Sequence, residues 1–149
     1  MMHHKDIQTF IDTIRVQQND KTILDPFITY QYLPSRVVAN SYLGFCGHTI
    51  LTINKLYLQK EKREPVIKAY LLHELGHAYS HDLKRKKTSA AAEARAHAWA
   101  IHVAIYQLKD ADIAGHLIKM GREWSSMPKR KCNLIYIRAS KILSRKGVL

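Results

Sequence analysis

The residues best suited to chemistry in this chain are His73, Glu74 and His77, which spell H-E-x-x-H across His73-Glu74-Leu75-Gly76-His77. On an α-helix, residues four apart stand one turn above each other, so His73 and His77 project from one face and can share a metal ion. Glu74 lies about 100° round such a helix, poorly placed as a third ligand but within reach of a water on the metal. Zinc lowers the pKa of that water from about 15.7 to about 7, and a carboxylate can then take its proton during attack on a carbonyl. The motif points to amide hydrolysis. Its flanks agree, because Val66, Ile67, Ala69, Tyr70, Leu71 and Leu72 make an apolar helix that Pro65 opens at its first turn. Two histidines on a polar surface helix are the ordinary alternative, and that apolar surrounding speaks against it.

A catalytic zinc normally has three protein ligands and one open position. His81 continues the four-residue series, but each step turns about 40°, so three such ligands splay on a regular helix. That leaves His81 beside the site or facing solvent, and Asp82 points elsewhere again. The best candidate is Glu93, in the alanine-rich run Ala90 to Ala100, which Thr88 or Ser89 can cap. A carboxylate on a small-residue face is costly to bury without a cation. The competing expectation is a surface pair between Glu93 and Arg95 or a lysine. His97, one turn after Glu93, can orient a ligand or donate to a developing oxyanion. Tyr79 and Tyr106 are weaker oxyanion candidates, since buried tyrosines more often simply pack.

These two segments together resemble the ImmA/IrrE-type zinc metallopeptidases, small proteins of bacterial mobile elements and phages. That family carries H-E-L-G-H on one helix, often with a further histidine as His81 is here, and roughly E-x-x-A-N-x-F-A on the next. The second motif reads here Glu93, Ala96, His97, Trp99 and Ala100, with His97 in place of asparagine and Trp99 in place of phenylalanine. The resemblance spans about Leu43 to Val103. It implies His73, His77 and Glu93 as zinc ligands, Glu74 as catalytic base, and a zincin-like fold with H-E-x-x-H on a core helix. It also implies a protein substrate, such as a helix-turn-helix transcriptional repressor.

The elements that would position these groups can be read in outline. At 149 residues the chain suits one metallopeptidase-like domain, 1–149, with an N-terminal helix and strands over 1–60, zinc-site helices over 64–108 and basic helices over 109–149. Ile7, Phe10, Ile11 and Ile14 recur at helical spacing, so an amphipathic helix opens the chain. Phe27 to Leu33, Arg36 to Leu43 and Thr49 to Ile53 read as strands, with Gly44 to His48 as a hairpin loop. Thr49 to Ile53, just before the motif helix, is either an edge along which a substrate pairs or an ordinary core strand. Helices are expected from Asp112 to Met120 and from Pro128 to Ser144, the latter with an apolar stripe of Cys132, Ile135, Tyr136, Ala139 and Leu143. The expected class is α+β, a small mixed or antiparallel sheet packed against helices.

Charge is uneven. Residues 84–149 hold fifteen Lys/Arg against four Asp/Glu and carry nearly all of the net +12. Lys84, Arg85, Lys86 and Lys87 follow the motif helix, and Lys129, Arg130 and Lys131 open the last one. Such clusters steer acidic partners or make non-specific contact with nucleic acid, although a solvated basic face is the more ordinary reading. No stretch has the length of a membrane span and the N-terminus lacks the apolar core of a signal peptide, so no membrane contact is expected. Cys46 and Cys132 form no C-x-x-C pair and read as free thiols of a cytoplasmic protein. Two other functions compete with the leading one. A SprT-like protease acting on DNA-bound proteins would take His97 or His102 as third ligand, and a catalytically silent binding module would have no need of Glu74.

Overall fold

The computed structural model describes residues 2–18, 24–44, 47–80, 83, 90–126 and the helical residues 138, 139, 141, 142, 144 and 145. The chain is α+β. Helix α1 (His4–Gln17) buries Ile7, Phe10, Ile11 and Ile14, the four residues whose spacing predicts it. Asp6 accepts from the His3 backbone N–H at 2.9 Å and so satisfies a donor that the helix leaves unpaired.

Three strands follow, β1 (Leu24–Gln31), β2 (Ala39–Leu43) and β3 (His48–Asn54), in the spatial order β1-β3-β2. β1 runs parallel to β3, and β2 pairs antiparallel with β3 across a hairpin, giving a mixed sheet. The strand bounds differ from the expected ones by a few residues, and of the two readings of Thr49 to Ile53 the structure shows the core strand and not the substrate edge. The segment lies in the middle of the sheet, with both sides already paired, so no substrate can add to it. Among the described residues, the open edge nearest the motif helix belongs to β2. The physical reason is the parallel pairing of β1 with β3, a long-range contact that local sequence does not encode.

Asn54 ends β3 and starts α2 (Lys55–Lys60), a short helix absent from the sequence expectation. Its Oδ1 accepts from the Leu56 and Leu33 N–H groups, and its Nδ2 donates to the carbonyls of Leu33, Pro34 and Val37. One buried side chain thereby caps a helix and ties down the loop before β2.

Helix α3 (Glu64–Tyr79) carries the motif and is buried nearly all round, by Val66, Ile67, Ala69, Leu71, Leu72, Leu75 and Ala78 among others. It packs against β2, α4 (Ala90–His102) and α5 (Ala111–Ser126). Between α4 and α5 a π-helical turn covers Val103–Gln107. Asp110 then caps α5, accepting from the N–H groups of Asp112 and Ile113 at 3.0 Å each. The α5 helix is longer than the Asp112 to Met120 segment expected from the sequence. Of the last expected helix, the described residues are helical and Ala139 is buried in the core. Cys46, His81, Asp82, Lys84 to Ser89, Lys129 to Lys131, Cys132, Ile135, Tyr136 and Leu143 lie outside the described residues. No helix among those described is long and apolar enough to cross a membrane.

Candidate metal centre

The site is set by how closely α3 and α4 approach. Gly76 faces the α4 backbone, and a methyl group there would lie 2.4 Å from the Ala96 carbonyl oxygen and 2.8 Å from its Cα. Only glycine fits. On the α4 side, Ala92, Ala96 and Ala100 share one face and are all buried, so short side chains on both helices let the backbones nearly touch. Glu93, one turn before Ala96, is thereby carried to the motif histidines.

His73 Nε2 lies 2.9 Å from Glu93 Oε2, and His77 Nε2 lies 3.3 Å from Glu93 Oε1. The three ligand-capable atoms all fall within 4.8 Å of one another, and among the described residues this is the one group of its kind. Adjacent vertices of a tetrahedral zinc site with ligand bonds of about 2.0–2.1 Å are about 3.3 Å apart, so the donors already stand at near-ligand spacing. The two imidazole rings meet edge to face, with centroids 5.1 Å apart and planes at 88°, so their nitrogens converge without stacking. Both histidines are buried and Glu93 is half-buried. The expected surface pairing of Glu93 with Arg95 or a lysine is replaced by these contacts with His73 and His77.

Burial alone would raise the Glu93 carboxyl, but hydrogen bonds and charge from His73 and His77 overcome it and hold the group well below the usual carboxylate range. Glu93 is therefore an anion at neutral pH, as a metal ligand must be. The residues fit a divalent cation: two neutral-capable imidazoles and one carboxylate, gathered where a bare carboxylate would otherwise be costly.

Glu74 stands apart from this trio. Its Oε2 accepts from the Ser41 hydroxyl at 3.0 Å, which links the motif helix to strand β2. Burial pushes the Glu74 carboxyl above its ordinary range and Glu93 adds to the rise, while His73, His77 and the Ser41 hydrogen bond pull against it. A carboxylate tuned upward is better matched to accepting a proton near neutral pH. Ser41 was not among the residues singled out from the sequence. No local pattern marks it, because its partner is 33 positions away.

His97 is fully buried and packs against His73, with ring centroids 5.6 Å apart. Burial drives its pKa down to about 3, with a further push from His73 and opposing effects from the Leu117 backbone and Glu93. It is a neutral ring behind a ligand-capable histidine. Neither it nor His102 belongs to the metal-capable group. Tyr79 stacks on Trp99 with planes 11° apart, and Tyr106 is half exposed beside His102 on the π-helical turn. Neither tyrosine is brought into the trio. No protein-family model, curated protein or solved structure matches the chain, so the reading of the site rests on its own geometry.

Proposed function

We propose that this chain is a zinc-dependent endopeptidase that hydrolyses a peptide bond in a protein substrate, such as a transcriptional repressor or another DNA-associated regulator. One observation carries the reading: His73, His77 and Glu93 converge on a common point while a second carboxylate, Glu74, is held separately beside them. A purely structural zinc site is closed by four protein ligands, whereas a catalytic one keeps a position open. Bound zinc would supply Lewis acidity, lowering the pKa of water to about 7 and polarising a carbonyl.

The chain's own residues do the rest. Glu74, fixed on one oxygen by Ser41, accepts the proton of the attacking water and returns it to the departing amine. His97 backs His73 and resists protonation, which keeps the ring environment of that ligand constant. The free edge of β2, beside α3, offers backbone groups for an extended peptide, and Tyr42 and Leu43 are exposed along it. A motif helix beneath a mixed sheet with such an edge supports a zincin-like arrangement. Glu93, rather than His97 or His102, standing with the motif histidines supports the ImmA/IrrE-type reading over a SprT-like one.

Incubating zinc-loaded wild type and Glu74→Gln with candidate repressors, and reading fragments by mass spectrometry, tests the proposal. Wild type should cut, and Glu74→Gln should keep its metal and lose roughly 10²–10⁴-fold in rate. Equal cleavage by both, or partner release without any cleavage, would overturn the peptidase assignment in favour of a binding module.

A further inference from the structure

The opposite face of α4 holds a second feature. Arg95 follows Glu93 by two residues, about 200° round the helix, and so points away from the metal-capable trio. There a cavity of about 270 Å³ is lined by Ala91, Ala94, Arg95, Arg138, Lys141, Ile142 and Arg145. Among the described lining residues four are cationic and none is acidic. Ala91 and Ala94 put only methyl groups on this side of the cavity. Arg138, Lys141, Ile142 and Arg145 recur at i, i+3, i+4 and i+7, which puts them on one helical face. Ala139 is buried and Ile142 packs against the core, so this face is anchored to the body of the protein.

Arg138, Lys141 and Arg145, exposed on one helical face, are like charges that repel each other, and an anion relieves the repulsion. Three guanidinium groups suit a tetrahedral oxyanion, because each offers a planar fork to two of its oxygens. We propose that this cavity binds a phosphate of a nucleic-acid backbone through Arg95, Arg138, Lys141 and Arg145. The rim favours a polymer over a free ion. Arg138, Lys141 and Arg145 are exposed, and positions seven apart at a helical rise lie about 10 Å from each other, enough to reach beyond a single phosphate along a strand. The charge of the surrounding sequence, fifteen Lys/Arg against four Asp/Glu from residue 84 onward, extends the same attraction. This assignment stands independently of the peptidase reading.

The test is binding of a fluorescent 20-base-pair duplex, followed by anisotropy from 50 to 200 mM KCl. Arg138→Gln/Arg145→Gln should weaken binding and lower the steepness of log Kd against log salt by about 1.8, two phosphate contacts at about 0.9 each. Arg138→Lys/Arg145→Lys, which keeps charge without the fork, should fall between that variant and wild type. Lys60→Gln/Lys62→Gln, on exposed positions at and after α2 with the same change in net charge, should keep the wild-type slope. If the arginine double variant does not fold, Lys141→Gln serves in its place, with an expected drop of about 0.9. An equal loss in the control would overturn the proposal, since binding would follow net charge alone. So would stabilisation of wild type by inorganic phosphate, read by thermal shift, without any duplex binding.

Discussion

Replacing Gly76 by alanine tests whether the α3–α4 contact sets the metal site. In an ordinary exposed helix the change would stabilise by about 1 kcal/mol, because glycine is the poorer helix former. Here the added methyl would sit 2.4 Å from the Ala96 carbonyl oxygen, against an ordinary contact of 3.4 Å or more. Both partners are backbone, so no side chain can swing aside, and the helices must part locally by about 1 Å. Overpacking of this kind costs about 1–3 kcal/mol, which offsets the propensity gain and leaves a net loss of up to about 2 kcal/mol. For a chain of this size that is a fall in Tm of up to roughly 6 °C. The same parting carries Glu93 away from His73 and His77, now 2.9 and 3.3 Å away. Metal sites tolerate about 0.2 Å, so zinc affinity should fall at least tenfold. Thermal unfolding of the metal-free protein and zinc titration against a chromogenic chelator read the two effects. A variant more stable than wild type, with unchanged zinc affinity, would show that the α3–α4 contact does not set the metal site.

Ser41→Ala should retain full metal content and lower the cleavage rate several-fold, with the acidic limb of the pH–rate profile displaced upward, since the hydroxyl helps to hold the Glu74 carboxyl down; an unchanged profile would separate Ser41 from the base. His97 makes metal-free stability depend on pH. Its folded pKa is about 3, below the ordinary value of 6.5, so the unfolded chain binds the extra proton. The contribution is complete above about pH 6.5 and is lost as pH falls toward 3, at up to about 1.4 kcal/mol per pH unit. Between pH 7 and 5, urea unfolding should therefore show wild type losing about 2 kcal/mol more than His97→Phe. Equal losses would show that burial of this ring is not what resists the proton.

Much of the helical framework was legible because its signals are local. The four apolar residues of α1 lie at the spacing their burial requires, and the greasy flanks of His73 and His77 foretold a buried α3. Glu93 could be picked out because a carboxylate in an alanine run is costly to bury without a cation. What escaped was long-range. The insertion of β3 between β1 and β2 depends on a parallel pairing across more than twenty residues, and it is what decides that Thr49–Ile53 is a core strand while Ala39–Leu43 lies at an edge. The short α2 forms because Asn54 satisfies a helix end and a distant loop together, which no propensity reports. The contact of Ser41 with Glu74 and the near-touch of Gly76 with Ala96 likewise exist only once the helices and sheet have assembled.

Metal content of wild type, Glu93→Ala and His97→Ala, measured by elemental analysis after mild dialysis, decides whether His73, His77 and Glu93 hold a metal ion together. The arrangement of His73, His77 and Glu93 predicts about one zinc per wild-type chain, lost in Glu93→Ala and largely kept in His97→Ala. Zinc that survives in Glu93→Ala and disappears in His97→Ala, or a wild type that holds no metal at all, would contradict it.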